Sequence, residues 1–203
     1  MSITAPATLT ELVHAVREAV AVETDWAGTA ELVAEALRAH LPGPDVLTPA
    51  QREGDPDRYV SYTLHVEPDA TFSVIALVWR PGQATRIHDH LTWCVFGVVQ
   101  GVEHEELFDA DGRRLGESDN LTGDVSGFAP PGDIHRVRNA GDTTAISIHI
   151  YGTDIDRAGS SVRRYYDCRV SEPFGLHAGD RAPQCEHRQR EQEQHSRHIH
   201  TRT

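Results

Sequence analysis

The sequence predicts a mainly β protein, a single barrel of antiparallel strands with an N-terminal helical segment. From Tyr59 onward the hydrophobic period changes from helical to alternating, and the strand-like runs that follow are short. They are separated by Gly, Pro and Asp turns, with no helical stretch between them, which is the pattern of an antiparallel sandwich or barrel rather than of a parallel sheet. A length of 203 residues suits one such domain with a small appendage. The expected organisation is a helical segment at 1–50 packed on the barrel, the barrel itself at 51–178, and a polar, disordered tail at 179–203.

The elements follow in order. Leu9, Leu12, Val13, Val16 and Val20 recur at helical spacing, and Thr8 with Glu11 forms a capping box. A second helix over about 27–41 places Leu32, Val33, Ala36, Leu37 and Leu41 on one stripe, and Pro42-Gly43-Pro44 ends it. RYVSYTLHV alternates, and FSVIALVW, Phe72 to Trp79, reads as a buried strand. Pro81-Gly82 supplies a turn before one metal strand, in which Ile87 precedes His88 and His90 and Val95, Phe96, Val98 and Val99 follow them, and Gly97 and Gly101 read as breaks after it. Later strands lie in VVQGVEHEELF, after a turn at Asp111-Gly112 in LTGDVSGFAPPGDIHRVRNAG, and in TTAISIHIYG. Beyond Gly179 the chain is Gln, Glu, Arg and His with almost no apolar residue.

Composition excludes several classes. A formal net charge of −12 argues against a nucleic-acid surface. No apolar run is long enough to cross a bilayer, and the N-terminus lacks a signal-peptide pattern, so the expectation is a cytoplasmic protein with no membrane partner. Cys94, Cys168 and Cys185 are too few and too irregular for a disulfide framework.

The chemistry begins at His88 and His90. Alternate residues of a strand share a face, so both imidazoles can reach one metal. Gly82, His88, His90, Cys94 and Gly101 stand at the spacing of the first cupin motif, with Cys94 where most cupins place a glutamate. Pro130, Gly132, His135 and Asn139 match the second motif, although the glycine that opens it is displaced, with Gly123 and Gly127 flanking Asp124 at its place. The chain therefore resembles the cupins, whose double-stranded β-helix barrel is the fold it implies. His88, His90 and His135 become candidate ligands of a divalent metal with open positions. His65 and His104 lack partners at such spacing, and His195, His198 and His200 lie in the polar tail.

Ser147, His149 and Tyr151 alternate on the last strong strand and form a candidate hydrogen-bonded chain. A Ser–His pair also raises a hydrolase, but no nucleophile elbow is present. With the three histidines and the strand FSVIALVWRPGQATRIHDH, this run resembles the thiol dioxygenases, the cupin family of cysteine dioxygenase and bacterial mercaptopropionate dioxygenase. The resemblance implies Fe2+ on His88, His90 and His135, with Ni2+ also compatible with three imidazoles. It implies Ser147, His149 and Tyr151 as the catalytic outer-sphere residues, a small-molecule thiol and O2 as substrates, a sulfinate product, and a monomer. It also implies a thioether between Cys94 and Tyr151, against the alternative that Cys94 is a small buried hydrophobe.

The substrate clamp departs from the family pattern. Cysteine dioxygenases carry an arginine where Ser61 stands here, and Arg58 is three residues away, on the other face. Arg164, then Arg163, match the post-tyrosine arginine of mercaptopropionate dioxygenases, and a solvated basic pair is the alternative. Arg86, Ser61 and Tyr62 complete the candidates for substrate binding. Two further readings stay open: a cupin oxygenase of secondary metabolism giving another oxidised sulfur product from cysteine or a derivative, and a non-catalytic cupin that binds a small ligand.

Overall fold

The computed structural model describes residues 8–167 and 186–189. Two helices come first. Helix α1 (Leu9–Val20) opens on Thr8, whose hydroxyl accepts from the Glu11 amide while the Glu11 carboxylate accepts from the Thr8 amide. Helix α2 (Trp26–Ala39) is capped by Asp25. A one-turn helix α3 (Pro49–Arg52) leads into the strands.

The strands are β1 (Val60–Val66), β2 (Ser73–Trp79), β3 (His88–His90), β4 (Cys94–Gln100), β5 (Val102–Phe108), β6 (Arg114–Leu121), β7 (Val125–Phe128), β8 (His135–Asn139), β9 (Ala145–Tyr151), β10 (Val162–Asp167) and β11 (Glu186–Gln189), with a short helix α4 (Ile155–Ala158) before β10. They form two antiparallel sheets, β1-β2-β9-β4-β7 and β11-β10-β3-β8-β5-β6, so the mainly β barrel expected from the alternating runs is the observed fold. No helix among the described residues is long and apolar enough to cross a membrane.

Strand alternation divides the buried side chains of the five-stranded sheet into two sets. Val74, Ala76, Val78, Val95, Ile146, Ile148 and Ile150 pack outward with Leu12, Val16, Val33 and Leu37 of the helices. Ile75, Leu77, Trp79, Cys94 and Tyr151 point into the barrel. The helices therefore cover one face of the sheet and leave the inner face for chemistry.

The run from Pro81 to Gly101 is not one continuous metal strand. It divides into β3 and β4, which belong to different sheets. Gly101 is a true break: its φ of +84° favours glycine, and an added Cβ would lie 2.8 Å from the Ala145 Cα. Gly97 is not a break. It sits inside β4, and an added Cβ would lie 2.8 Å from Leu41 Cδ1 and 3.1 Å from Leu37 Cδ2, so its role is close helix–sheet approach. The tail expectation falls mostly outside the described residues. Within them, Glu186–Gln189 pair with β10 as β11.

Leu37 is fully buried at this helix–sheet contact. Leu37→Ala is expected to lower stability by about 2–5 kcal/mol through lost transfer energy and a residual cavity. Chemical denaturation checks it: the midpoint falls at unchanged m-value, and an unchanged midpoint refutes the packing described.

Candidate active site

Three imidazoles meet at one end of the barrel. His88 and His90 are the two ends of β3, and His135 opens β8, directly opposite His88. All three are buried, and their ligand nitrogens lie within 4.8 Å of one another. Each Nδ1 is held from behind. His88 Nδ1 lies 2.9 Å from the Arg86 carbonyl, His90 Nδ1 3.3 Å from Asp133 Oδ2, and His135 Nδ1 2.6 Å from Glu105 Oε1. A partner at Nδ1 fixes the tautomer and frees Nε2 to ligate. His135 Nε2 is buried with no hydrogen-bond partner among the described residues, which suits an atom built to hold a cation. Burial and the neighbouring histidines lower the pKa of His88, and burial chiefly lowers that of His90, so both stay neutral as ligation requires. The donor set thus fits a divalent metal that accepts nitrogen ligands.

Asp133 and Glu105 belong to no motif in the sequence, yet each shows the alternation that points to it. Asp133 stands two residues before His135, and Glu105 lies in VEHEELF on the same face as Glu103. The acidic look of that strand reads as exposure, whereas Glu103, Glu105 and Glu106 are all buried.

On the facing sheet, Ser147, His149 and Tyr151 point inward from β9 and form a connected chain. Ser147 Oγ is 2.9 Å from His149 Nε2, and Tyr151 Oη is 3.3 Å from His149 Nδ1. The Trp79 indole N–H donates to Ser147 Oγ at 3.4 Å. Phe96 stacks on His149, and burial holds that imidazole down to about 3, so it is neutral at ordinary pH. Burial, with Cys94 alongside, pushes the Tyr151 phenol well above its usual range. Cys94 is the register partner of Tyr151 across β4 and β9, and its thiol faces the phenol.

The cavity between the sheets has a volume of about 190 Å³, and the three histidines, His149, Tyr151 and Trp79 line it. Its remaining walls are apolar (Ile75, Leu77, Val137) or carry hydroxyls (Tyr59, Ser61, Thr85, Ser160, Ser161, Tyr165).

The candidates for substrate binding separate. Ser61 lines the cavity. Tyr62, one residue on, faces outward and packs against the helix-side core. Arg58 is exposed. Arg86 precedes β3 rather than extending it, and its guanidinium lies 4.4 Å over the Tyr165 ring, outside the cavity lining. Arg163 and Arg164 are not on the wall either. A register shift in β10 turns both toward the far face of β3, where Arg163 Nη2 and Arg164 Nη2 bond Asp89 Oδ2 at 2.6 and 2.8 Å. The Tyr166 hydroxyl donates to the same oxygen at 2.9 Å. These contacts brace the strand that carries His88 and His90.

His65 and His104 lie away from the cavity lining, each beside a carboxylate: Glu67 at 2.9 Å and Asp119 at 2.6 Å. His195, His198 and His200 fall outside the described residues. Cys94 is a free, buried thiol.

Comparison with known proteins bears on this site. A family model described as cysteine dioxygenase type I matches residues 2–165. Cysteine dioxygenase type 1 of Danio rerio is 31% identical over 136 residues, covering 58% of this chain and 63% of that protein, so the match spans a little under two thirds of the relative's length. Among solved structures, TT1209 of Thermus thermophilus aligns with a TM-score of 0.42 at 18% identity, covering 53% of this chain and 96% of that one. A cupin superfamily protein of Desulfitobacterium hafniense DCB-2 aligns with a TM-score of 0.42 at 17% identity, covering 56% and 91%.

Proposed function

Since the chain belongs to the cysteine dioxygenase type I family, we propose that it is a mononuclear iron thiol dioxygenase that adds both atoms of O2 to the sulfur of a small thiol and gives a sulfinate. The observation that carries the reading is one cavity lined at once by His88, His90, His135 and the Tyr151 end of the Ser147–His149–Tyr151 chain. His88, His90 and His135 would hold Fe2+, which would supply the dioxygen chemistry. The protein's own groups do the rest. Ile75, Leu77 and Val137 pack against the carbon chain of the thiol and keep water off the sulfur. Ser61, Thr85 and Tyr165 offer hydrogen bonds to its polar tail, in place of the charge-assisted pair a guanidinium would make. Tyr151, tied to neutral His149, holds a proton at Oη beside the reacting sulfur.

The test is anaerobic reconstitution with Fe2+, then oxygen uptake against cysteine, cysteamine, mercaptopropionate and mercaptosuccinate, with products identified by mass. Thiol-dependent uptake yielding the sulfinate supports the reading. No uptake with any of the four, for Fe2+ or Ni2+, defeats it.

The opposed Cys94 and Tyr151 support a thioether as well. Its formation removes the thiol hydrogen and one ring hydrogen, and the two electrons pass to O2 as hydrogen peroxide. Intact mass after aerobic turnover is expected to fall by two hydrogens in wild type and to stay unchanged in Cys94→Ala. An unchanged wild-type mass rejects the cross-link.

A further inference from the structure

Glu103 is the buried group for which the chemistry so far has no use. It lies on β5 with no exposed surface, in the barrel interior, across from β9. Ser147 and the Trp79 indole face its carboxyl closely enough to lower its pKa, yet among the described residues neither oxygen has a partner at full hydrogen-bond geometry. A buried carboxylate in that state is costly and calls for a reason.

The geometry supplies one. Ser147 stands between Glu103 and His149, and His149 stands between Ser147 and Tyr151. The chain of groups runs four residues along β9, about 13 Å at strand rise, from the metal end of the cavity to the barrel interior. We infer that Glu103 is the inner terminus of this chain and stores the proton that leaves the cavity through Tyr151. The inference rests on the thiol reading for the source of that proton, the substrate S–H.

The transfer balances as a shift of hydrogen bonds with no change of electrons. With Glu103 ionised, the Ser147 hydroxyl donates to the carboxylate, His149 Nε2–H donates to Ser147 Oγ, and the Tyr151 hydroxyl donates to His149 Nδ1. The shift moves the Tyr151 proton to Nδ1, the Nε2 proton to Oγ and the Ser147 proton to Glu103. As the Tyr151 proton leaves, the phenol oxygen takes the proton of the bound thiol in the same shift, so no phenolate forms on a phenol whose pKa is raised. The shift ends with the carboxyl protonated and His149 Nδ1–H donating to the Tyr151 hydroxyl oxygen. The net change is one proton from sulfur to Glu103. No imidazolium forms before or after, consistent with the strongly lowered pKa of His149. The Trp79 N–H on Ser147 Oγ holds that hydroxyl in the path.

Desolvation is the main force on Glu103, with Glu105 adding repulsion, and together they raise its pKa to about 7. Among the described residues the titratable groups that face it are Glu105 on its own strand and, through Ser147, His149 on β9. β2 contributes the neutral Trp79, and its register partners on β6 and β8 are the neutral Asn120 and Asn139. A group poised there accepts a proton when ionised and releases it to regenerate the chain. Glu103 is a positioning residue in this scheme, since it acts on the substrate only through Ser147, His149 and Tyr151.

The experiment uses the full chain with Fe2+ bound, under anaerobic conditions, and infrared difference spectroscopy. A carbonyl stretch of a protonated carboxylic acid is expected to titrate near neutral pH in wild type and to be missing in Glu103→Gln. Added cysteine or cysteamine, at a pH where that band is absent, is expected to restore it as the thiol proton arrives. In turnover, kcat of Glu103→Gln is expected to fall about a hundredfold. The wild-type decline of kcat on the acid side, where Glu103 is already protonated, is expected to vanish with it, and Glu103→Asp is expected to recover part of both. A wild-type protein with no such titrating band overturns the inference, and so does Glu103→Gln with wild-type kcat and pH profile. The titration needs neither thiol nor O2, so it decides the role of Glu103 even if the thiol reading fails; should Glu103→Gln not fold, wild type and Ser147→Ala decide it, since cutting the chain at Ser147 must move the band's midpoint.

Discussion

His135→Ala is expected to lose bound iron, with the affinity falling by more than the roughly 10–100-fold that removal of a supporting group costs. The reason lies in the number of donors. His88 and His90 sit on a three-residue strand and can supply only two nitrogens. The third comes from β8, and its Nε2 has no other partner among the described residues. Glu105→Gln provides a graded comparison. It keeps the ring in place but removes the carboxylate 2.6 Å from Nδ1, so its loss is expected inside the 10–100-fold range rather than beyond it. Metal content after anaerobic dialysis, with a chelator competition for the affinity, reads both. Wild-type iron binding by His135→Ala refutes the ligand assignment.

Tyr151→Phe is expected to separate chemistry from metal binding. The phenol does not hold metal in this arrangement. It ends the hydrogen-bonded chain at the cavity and is held by His149. Removing its hydroxyl leaves the aromatic packing with His90, 5.9 Å between centroids, and deletes the proton position. Turnover is expected to fall about 10²–10⁴-fold, the usual range for a positioned acid or base, at unchanged iron content and little change in KM. Equal kcat for Tyr151→Phe and wild type removes Tyr151 from the chemistry, and loss of iron in that variant assigns it a structural role instead.

Much of the site was legible because strands write their geometry into sequence. A period of two places His88 with His90, and Ser147 with His149 and Tyr151, on common faces with no knowledge of the fold. Other residues were not legible for the opposite reason. Glu103 and Glu105 alternate just as clearly, but an acidic strand looks solvated until a second sheet is seen to cover it. Arg163 and Arg164 show the limit of likeness at a distance. Their position suggested a carboxylate clamp, while the register shift in β10 commits both to Asp89. Arg86 failed as a cavity residue because the chain before His88 is not strand, so the period of two does not extend to it.

The sequence by itself determined the fold class, the helical segment, the pairing of His88 with His90 and the alternation of Ser147, His149 and Tyr151, since these rest on short-range spacing, while His135 is reached through likeness to the second cupin motif. Only the tertiary structure decided which carboxylates stand behind the imidazoles, which arginines are taken up elsewhere, and that Cys94 faces Tyr151 across two strands fifty-seven residues apart in sequence. It also decided that Glu103 is buried at the inner end of that chain. Those facts depend on how two sheets close over one interior, where water is excluded and each charge must find a partner, and spacing along a single strand carries no information about what lies across the barrel.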